Sequence, residues 1–205
     1  PFKAISGGDK HGCGLMTDGR LDCWGSGEHI DYGKIPAGPY TAIASGYFHT
    51  CTLNAQGRAQ CWGCRQGSQR RAIDAGQCDT GAVAGVRFKT IDSGRQHSCG
   101  LTGAGEVMCW GSNRFGQAPA RRSGPYSALA TGSFHTCAIR KSDNGVDCWG
   151  RDHRGQAGAP PGRFRALAAG FTFTCAIKMD GGVQCWGEDA EGFTAPPAGL
   201  QARGG

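Results

Sequence analysis

The chain has 205 residues, with 22 basic against 16 acidic side chains, 37 glycines and 12 cysteines. That length supports one domain with a core, the glycines follow no Gly-X-Y period and so read as turns rather than collagen, and no apolar run approaches the roughly 18 residues of a membrane-spanning helix. An even and dense set of cysteines implies an oxidising compartment, extracellular or periplasmic.

In chain order, five similar units follow one another. The first opens with the apolar strand FKAISGG and continues, from His11, with HGCGLMTDGRLDCWG. The second repeats this as YTAIASG and, from His49, HTCTLNAQGRAQCWG; the third as FKTIDSG and, from His97, HSCGLTGAGEVMCWG. The fourth reads YSALATG and, from His135, HTCAIRKSDNGVDCWG; the fifth FRALAAG and, from Phe173, FTCAIKMDGGVQCWG. The tryptophans Trp24, Trp62, Trp110, Trp149 and Trp186 are spaced 38, 48, 39 and 37 residues apart, and the long interval holds an insertion with Cys64 and Cys78. The units cover about residues 1–38, 39–86, 87–124, 125–163 and 164–205 of a single domain.

Each unit reads as strand A, strand B, a hairpin turn, strand C and a Gly/Pro-rich crossover, with no sustained helical period. A sheet of three short strands cannot bury its own faces, so the units must pack on one another. The expected fold is all-β, a β-propeller of five three-stranded blades with one disulfide per blade hairpin. Closure into a full ring is expected, because an open arc shows Trp or Cys/Leu faces to water at its ends. Leu200-Gln201-Ala202 echoes a further A strand and offers extra pairing at the seam. A start without Met or a signal-like stretch reads as a mature or trimmed product.

Hairpin parity gives the cysteine pairing. In four units the cysteines are ten apart, as Cys13 and Cys23, which centres the turn on Asp18 and leaves the loop Thr17-Asp18-Gly19. Such a loop places a left-handed residue third, and Gly19, Gly57, Gly105 and Gly181 stand there. In the fourth unit the spacing is eleven, so its loop is one residue longer. The cysteines then face each other directly. The expected bonds are Cys13–Cys23, Cys51–Cys61, Cys99–Cys109, Cys137–Cys148 and Cys175–Cys185, with Cys64–Cys78 stapling the insertion. Cys61 and Cys64 form a lone Cys-x-x-Cys without a second pair or a following His, so no metal and no cofactor is expected.

Gly12, Thr50, Ser98, Thr136 and Thr174 lie opposite the five tryptophans and leave room for the indoles. Period two puts Trp on one blade face and the Cys/Leu pairs on the other, so the tryptophans are structural and fill the space between blades. His11, His49, His97 and His135 recur two residues before a cysteine. A Cys–His catalytic dyad is dismissed, since the pattern repeats, the cysteines are paired and unit five has Phe173; these histidines read as structural, bonded to loop carbonyls.

Strand order then selects a binding rim. The two residues after each A strand share a rim with the loops after each Trp-Gly, opposite the hairpin turns. The rim offers Asp9-Lys10, Tyr47, Phe48, Arg95, Phe134 and Phe171 from the first set, and His29, Tyr32, Arg114, Phe115, Arg151, His153 and Arg154 from the second. Aromatics and arginines dominate binding hot spots. The formal charge of +6 collects after residue 60. It reads as a solvated basic surface, although it can attract an anionic glycan or acidic protein.

Apolar strand, glycine, two variable residues, His, Gly turn, Trp-Gly and then Asn113, Gly116 and Gln117 resemble the repeat of the regulator of chromosome condensation family. Asp152, Gly155 and Gln156 nearly match the last element, Asp189 and Gly192 more weakly, and units one and two depart from it. The short unit is similar to that of the bacterial propeller-type β-lactamase inhibitor; paired cysteines depart from both. The resemblance implies a propeller used for binding, its members including a nucleotide exchange factor, chromatin binders and a protein inhibitor. The leading function is an extracellular protein-binding module, such as a surface-assembly subunit, adhesin or inhibitor. A carbohydrate-binding propeller is the alternative. An enzyme is disfavoured, because no nucleophile elbow, phosphate loop or isolated carboxylate pair appears. No nucleic-acid partner is expected.

Overall fold

Strand formation follows the repeat unit by unit. The computed structural model describes residues 1–26, 35–64, 74–190, 192, 194 and 195. The first blade is β1 (Phe2–Gly7), β2 (His11–Met16) and β3 (Leu21–Gly25); the second is β4 (Tyr40–Ser45), β5 (Thr50–Asn54) and β6 (Ala59–Trp62). The third is β7 (Phe88–Ser93), β8 (His97–Thr102) and β9 (Val107–Gly111); the fourth is β10 (Tyr126–Thr131), β11 (His135–Arg140) and β12 (Val146–Gly150). The fifth is β13 (Phe164–Ala169), β14 (Phe173–Lys178) and β15 (Val183–Gly187). Each blade is an antiparallel sheet in chain order. Among the described residues no helix is long and apolar enough to cross a membrane.

The hairpin between the second and third strands of a blade is short and closed. In the first blade Met16 N–H donates to Arg20 C=O, enclosing Thr17-Asp18-Gly19, and Gly19 has φ 86°. Gly57, Gly105 and Gly181 repeat that left-handed turn. In the fourth blade the loop runs Lys141–Asn144, one residue longer, and Asn144 takes the positive φ of 59°. Asparagine tolerates this region better than other residues with a β-carbon. The cysteines are register partners in all five hairpins, and the disulfides Cys13–Cys23, Cys51–Cys61, Cys99–Cys109, Cys137–Cys148 and Cys175–Cys185 join them with Cα–Cα separations of 4.0–4.1 Å. Cys64–Cys78 staples the insertion. The insertion tucks Val83 into the core between the second and third blades.

A feature not anticipated from the sequence is a bulge near the start of every first strand, for example between Phe88 and Thr90. The bulge turns the leading aromatic onto the Trp face. Phe88, Tyr126 and Phe164 thereby lie with ring centroids 5.9, 6.3 and 6.2 Å from Trp110, Trp149 and Trp186.

Blades stack disulfide face to Trp face. Cys99, Leu101, Val107 and Cys109 of the third blade cluster with Tyr126, Ala138 and Trp149 of the fourth. Cys51 and Leu53 meet Phe88 and Trp110; Cys137 and Ile139 meet Phe164 and Trp186. Each indole N–H then needs an acceptor, and the preceding crossover loop supplies a carbonyl. Trp110, Trp149 and Trp186 donate to the backbone oxygens of Gln77, Gln117 and Gln156.

The histidines require a correction. They bond to hydroxyls of the next blade rather than to loop carbonyls: His11 to Thr50 at 2.9 Å, His49 to Ser98 at 2.7 Å, His97 to Thr136 at 3.0 Å and His135 to Thr174 at 2.8 Å. The reason is geometric. The small residue opposite each tryptophan projects from the Trp face, where the histidine of the preceding disulfide face meets it.

The first blade requires another. Trp62, Trp110, Trp149 and Trp186 are 4–8% exposed, as expected for residues between blades, whereas Trp24 is 52% exposed. Phe2 and Ile5, on the same face, are also exposed. Among the described residues no neighbouring blade covers this face, and the expected seal of the ring is not made by them. Leu200-Gln201-Ala202 lies outside the described residues.

Candidate functional site at the axial mouth

The first strand of each blade ends at a shared cavity of about 210 Å³, lined by residues of all five blades, among them Gly8, Asp9, Tyr47, Arg95, Ser133 and Gly170. The first strands are therefore innermost, and the turns that follow them ring the mouth.

The loops after Trp24, Trp110, Trp149 and Trp186 are tied to the same rim. Ser26, Ser112, Arg151 and Glu188 donate their backbone N–H to the carbonyls of Lys10, Gln96, Phe134 and Thr172, at 2.7–2.9 Å. Gly150, the glycine after Trp149, shows why this position has no side chain. Its φ is 104°, and a β-carbon there would lie 2.6 Å from the Phe134 carbonyl oxygen. Only glycine combines that backbone with that approach.

Beyond this glycine the third and fourth blades form a matching turn. Asn113 Oδ1 accepts the Ala118 N–H and Gln117 Oε1 accepts the Phe115 N–H; Asp152 Oδ1 and Gln156 Oε1 accept from Ala157 and Arg154. Asp189 Oδ1 accepts from Thr194 in the fifth. The buried glutamines hold the turn from below and leave the residues between them outward. The second blade, read from sequence as departing from this motif, reaches it through its insertion. Gln77 Oε1 accepts the Ala75 N–H, and the Gln77 carbonyl receives Trp110. The stretch Asp74-Ala75-Gly76-Gln77 was the available signal, displaced by the inserted residues.

Seven of the candidate residues form a contiguous cluster across the second to fifth blades. The Arg95 guanidinium lies 4.7 Å from the Tyr47 ring centroid, 5.8 Å from Phe48, 5.5 Å from Phe134 and 5.9 Å from Phe171. Arg151 lies 4.9 Å from Phe115 and 5.6 Å from Phe134. Phe134 meets Phe115 and Phe171 edge-on at 5.4 and 6.2 Å, and Tyr47 meets Phe48 at 4.5 Å. Phe115 and Phe171 remain exposed, while Arg95, Arg151 and Phe134 are half-buried. Neither Arg95 nor Arg151 is ion-paired among the described residues, whereas Arg154 pairs with Glu188 at 3.3 Å. Arg114 and His153 are exposed and join none of these ring contacts. His29 and Tyr32 lie outside the described residues. The sequence put Arg95 among many equals; it did not show that this side chain reaches the rings of three other blades.

The family model for the regulator of chromosome condensation (RCC1) repeat matches residues 2–30, 40–67, 88–117 and 126–156. No curated protein matches. Among solved structures, the ectodomain of the Physcomitrella patens receptor kinase CR4 is 28% identical with a TM-score of 0.76, covering 97% of this chain and 54% of that one. The CRINKLY WD40 ectodomain of the Arabidopsis thaliana receptor kinase ACR4 is 28% identical with a TM-score of 0.70, covering 95% and 65%. Prp20p from Saccharomyces cerevisiae, at 20% identity and a TM-score of 0.73 over 91% and 58%, shares the fold. The chain thus spans between about half and two thirds of these structures' lengths.

Proposed function

Because this chain belongs to the regulator of chromosome condensation (RCC1) repeat family and carries six disulfides, we propose that it is an extracellular module that binds another protein through its axial mouth. One observation carries the reading. Two arginines with no carboxylate partner among the described residues are held against five aromatic rings from four blades, on a rim partly open to solvent. Arginine and aromatic anchors of this kind dominate protein interfaces. A rigid disulfide-stapled frame holds them, so little ordering is lost on binding.

The relatives support the same class. Two are receptor-kinase ectodomains, and Prp20p has binding properties towards Gsp1p and histones. Six disulfides suit an oxidising exterior rather than a nucleus. A glycan-binding propeller with one shallow site per blade fits less well. The rim residues after the first strands differ from blade to blade, whereas repeated sites keep them alike.

The test is capture from the native surface assembly by cross-linking, followed by titration of the captured protein. Phe134→Ala and Phe171→Ala each weaken binding by roughly thirtyfold, the effect of losing a hot-spot residue. Asp18→Ala and Gln56→Ala, in the hairpin turns of the opposite rim, leave it unchanged. Loss of binding in the hairpin-turn variants with retention in the phenylalanine variants would place the interface on the wrong rim.

A further inference from the structure

We infer that the axial mouth receives a carboxylate side chain from an acidic loop of the protein partner, with Arg95 as the receiving group and Arg151 beside it. This rests on the protein-binding reading and names the chemistry of its ligand.

Aromatic rings surround the Arg95 guanidinium. Tyr47, Phe48, Phe134 and Phe171 all lie within 5.9 Å of the Arg95 guanidinium carbon. Rings bring no carboxylate to its N–H donors, which form a fork that matches one. Among the described residues, no side-chain hydrogen bond or ion pair of Arg95 uses those donors. Arg151 stacks on Phe115 and Phe134 in the same manner and is likewise unpaired. Arg95 thus lines the mouth and Arg151 shares the Phe134 ring beside it, and among the described residues neither side chain meets a carboxylate. Rings hold them in place, so an arriving anion does not have to order two long flexible chains.

The size and charge of the mouth favour a single side chain over a polyanion. Its cavity is about 210 Å³, the scale of one or two side chains, and Asp9 lines it as Arg95 does. Asp152 and Glu188 stand on the same rim, the latter already paired with Arg154. A sulfated glycan tracking along this rim meets these acids in alternation with the arginines. A loop that places one carboxylate at the axis meets only Asp9 of these acids.

The probe is a capped peptide with three consecutive glutamates, against its glutamine counterpart and a heparin hexasaccharide, added to the intact disulfide-bonded protein labelled with ¹⁵N. The side-chain Nε–H resonances of Arg95 and Arg151 are assigned by their disappearance in Arg95→Lys and Arg151→Lys. Expected is a saturable shift of both with the glutamate peptide and none with the glutamine peptide, while Arg122, stacked 4.7 Å from Trp149 away from the axis, stays still. Arg95→Lys weakens the peptide by roughly tenfold, since an ammonium keeps the charge but loses the fork and the stack. An unmoved Arg95 resonance, an equal response to the glutamine peptide, or tighter heparin binding at Arg95 overturns the inference. If Phe134→Ala abolishes capture of the native partner while the glutamate peptide leaves Arg95 unmoved, the protein-binding reading stands and the carboxylate inference fails. If capture survives every rim variant, the protein-binding reading itself fails.

Discussion

The interface between the third and fourth blades and the outer face of the first blade use the same repeat positions. In the former, Tyr126 and Trp149 are 4% and 7% exposed, and the Trp149 indole N–H reaches the Gln117 carbonyl. In the latter, Phe2 and Trp24 are 49% and 52% exposed. The opposite face of the first blade is as dry as any, with Cys13 and Leu15 fully buried against the second blade. A repeat therefore encodes half an interface, and the same Phe/Tyr–Trp pair becomes core or surface according to whether a disulfide face covers it. The histidine–hydroxyl pair shows this at both ends of the chain. The first blade has Gly12 where the others have a hydroxyl, and the fifth has Phe173 where the others have histidine.

The broadest way to break the covered interfaces is acid. Burial pushes His49 and His97 down to about 3 and His135 to about 4, from an ordinary 6.5. The unfolded chain takes up protons below about pH 6.5 that the folded chain refuses, so stability is complete above that pH and falls as pH drops towards 4 and 3. Each imidazole contributes a slope of about 1.4 kcal/mol per pH unit inside its window. Urea unfolding across that range should show the loss, and His97→Asn should reduce the slope by one proton. An unchanged slope would mean that His97 is already protonated when folded.

Single substitutions separate the two regions. Trp149→Ala is expected to cost about 3–5 kcal/mol, as large-to-small changes in a packed core do. Trp24→Ala should cost less than about 1 kcal/mol, in line with exposed sites. Equal losses in urea melts would show that a disulfide face covers Trp24 in solution.

Opening a hairpin staple comes next. By the chain-entropy account, replacing either Cys13 and Cys23 or Cys99 and Cys109 by serine costs roughly 2–3 kcal/mol. The location of the damage should differ. Among the described residues the first blade is packed on one face only, so hydrogen exchange should accelerate locally in β1–β3, while β7–β9, packed on both sides, should stay protected until global unfolding.

The smallest effect on stability is expected at the mouth. Arg95→Ala loses stacking at a half-exposed site, about 0.5–1 kcal/mol. A larger loss in the melting curve would mean that the cluster is a structural plug of the axis.

Much of this was legible because the repeat is in phase. The Trp spacing gave five units, and the ten-residue cysteine spacing with a glycine third in the loop gave the hairpin register. The His–hydroxyl bonds were missed because each joins residues 39 or 49 positions apart, one blade to the next. Reading Thr50, Ser98, Thr136 and Thr174 as small residues making room for indoles accounted for their size and overlooked their hydroxyls. At the mouth, the candidate residue types were visible, but not which of them converge. Arg114 and Arg95 look alike in sequence; only Arg95 lies among rings from other blades.

By itself, the sequence determined strand order, hairpin register, loop length and which side chains share a blade face. These depend on period-two alternation, turn chemistry and short-range pairing, all confined to one unit of about 38 residues. Only the tertiary structure decided which faces are covered, which hydroxyl each histidine meets, and which rim residues gather around Arg95. Those depend on the rotation from one blade to the next, a rigid-body relation between units that no local spacing records.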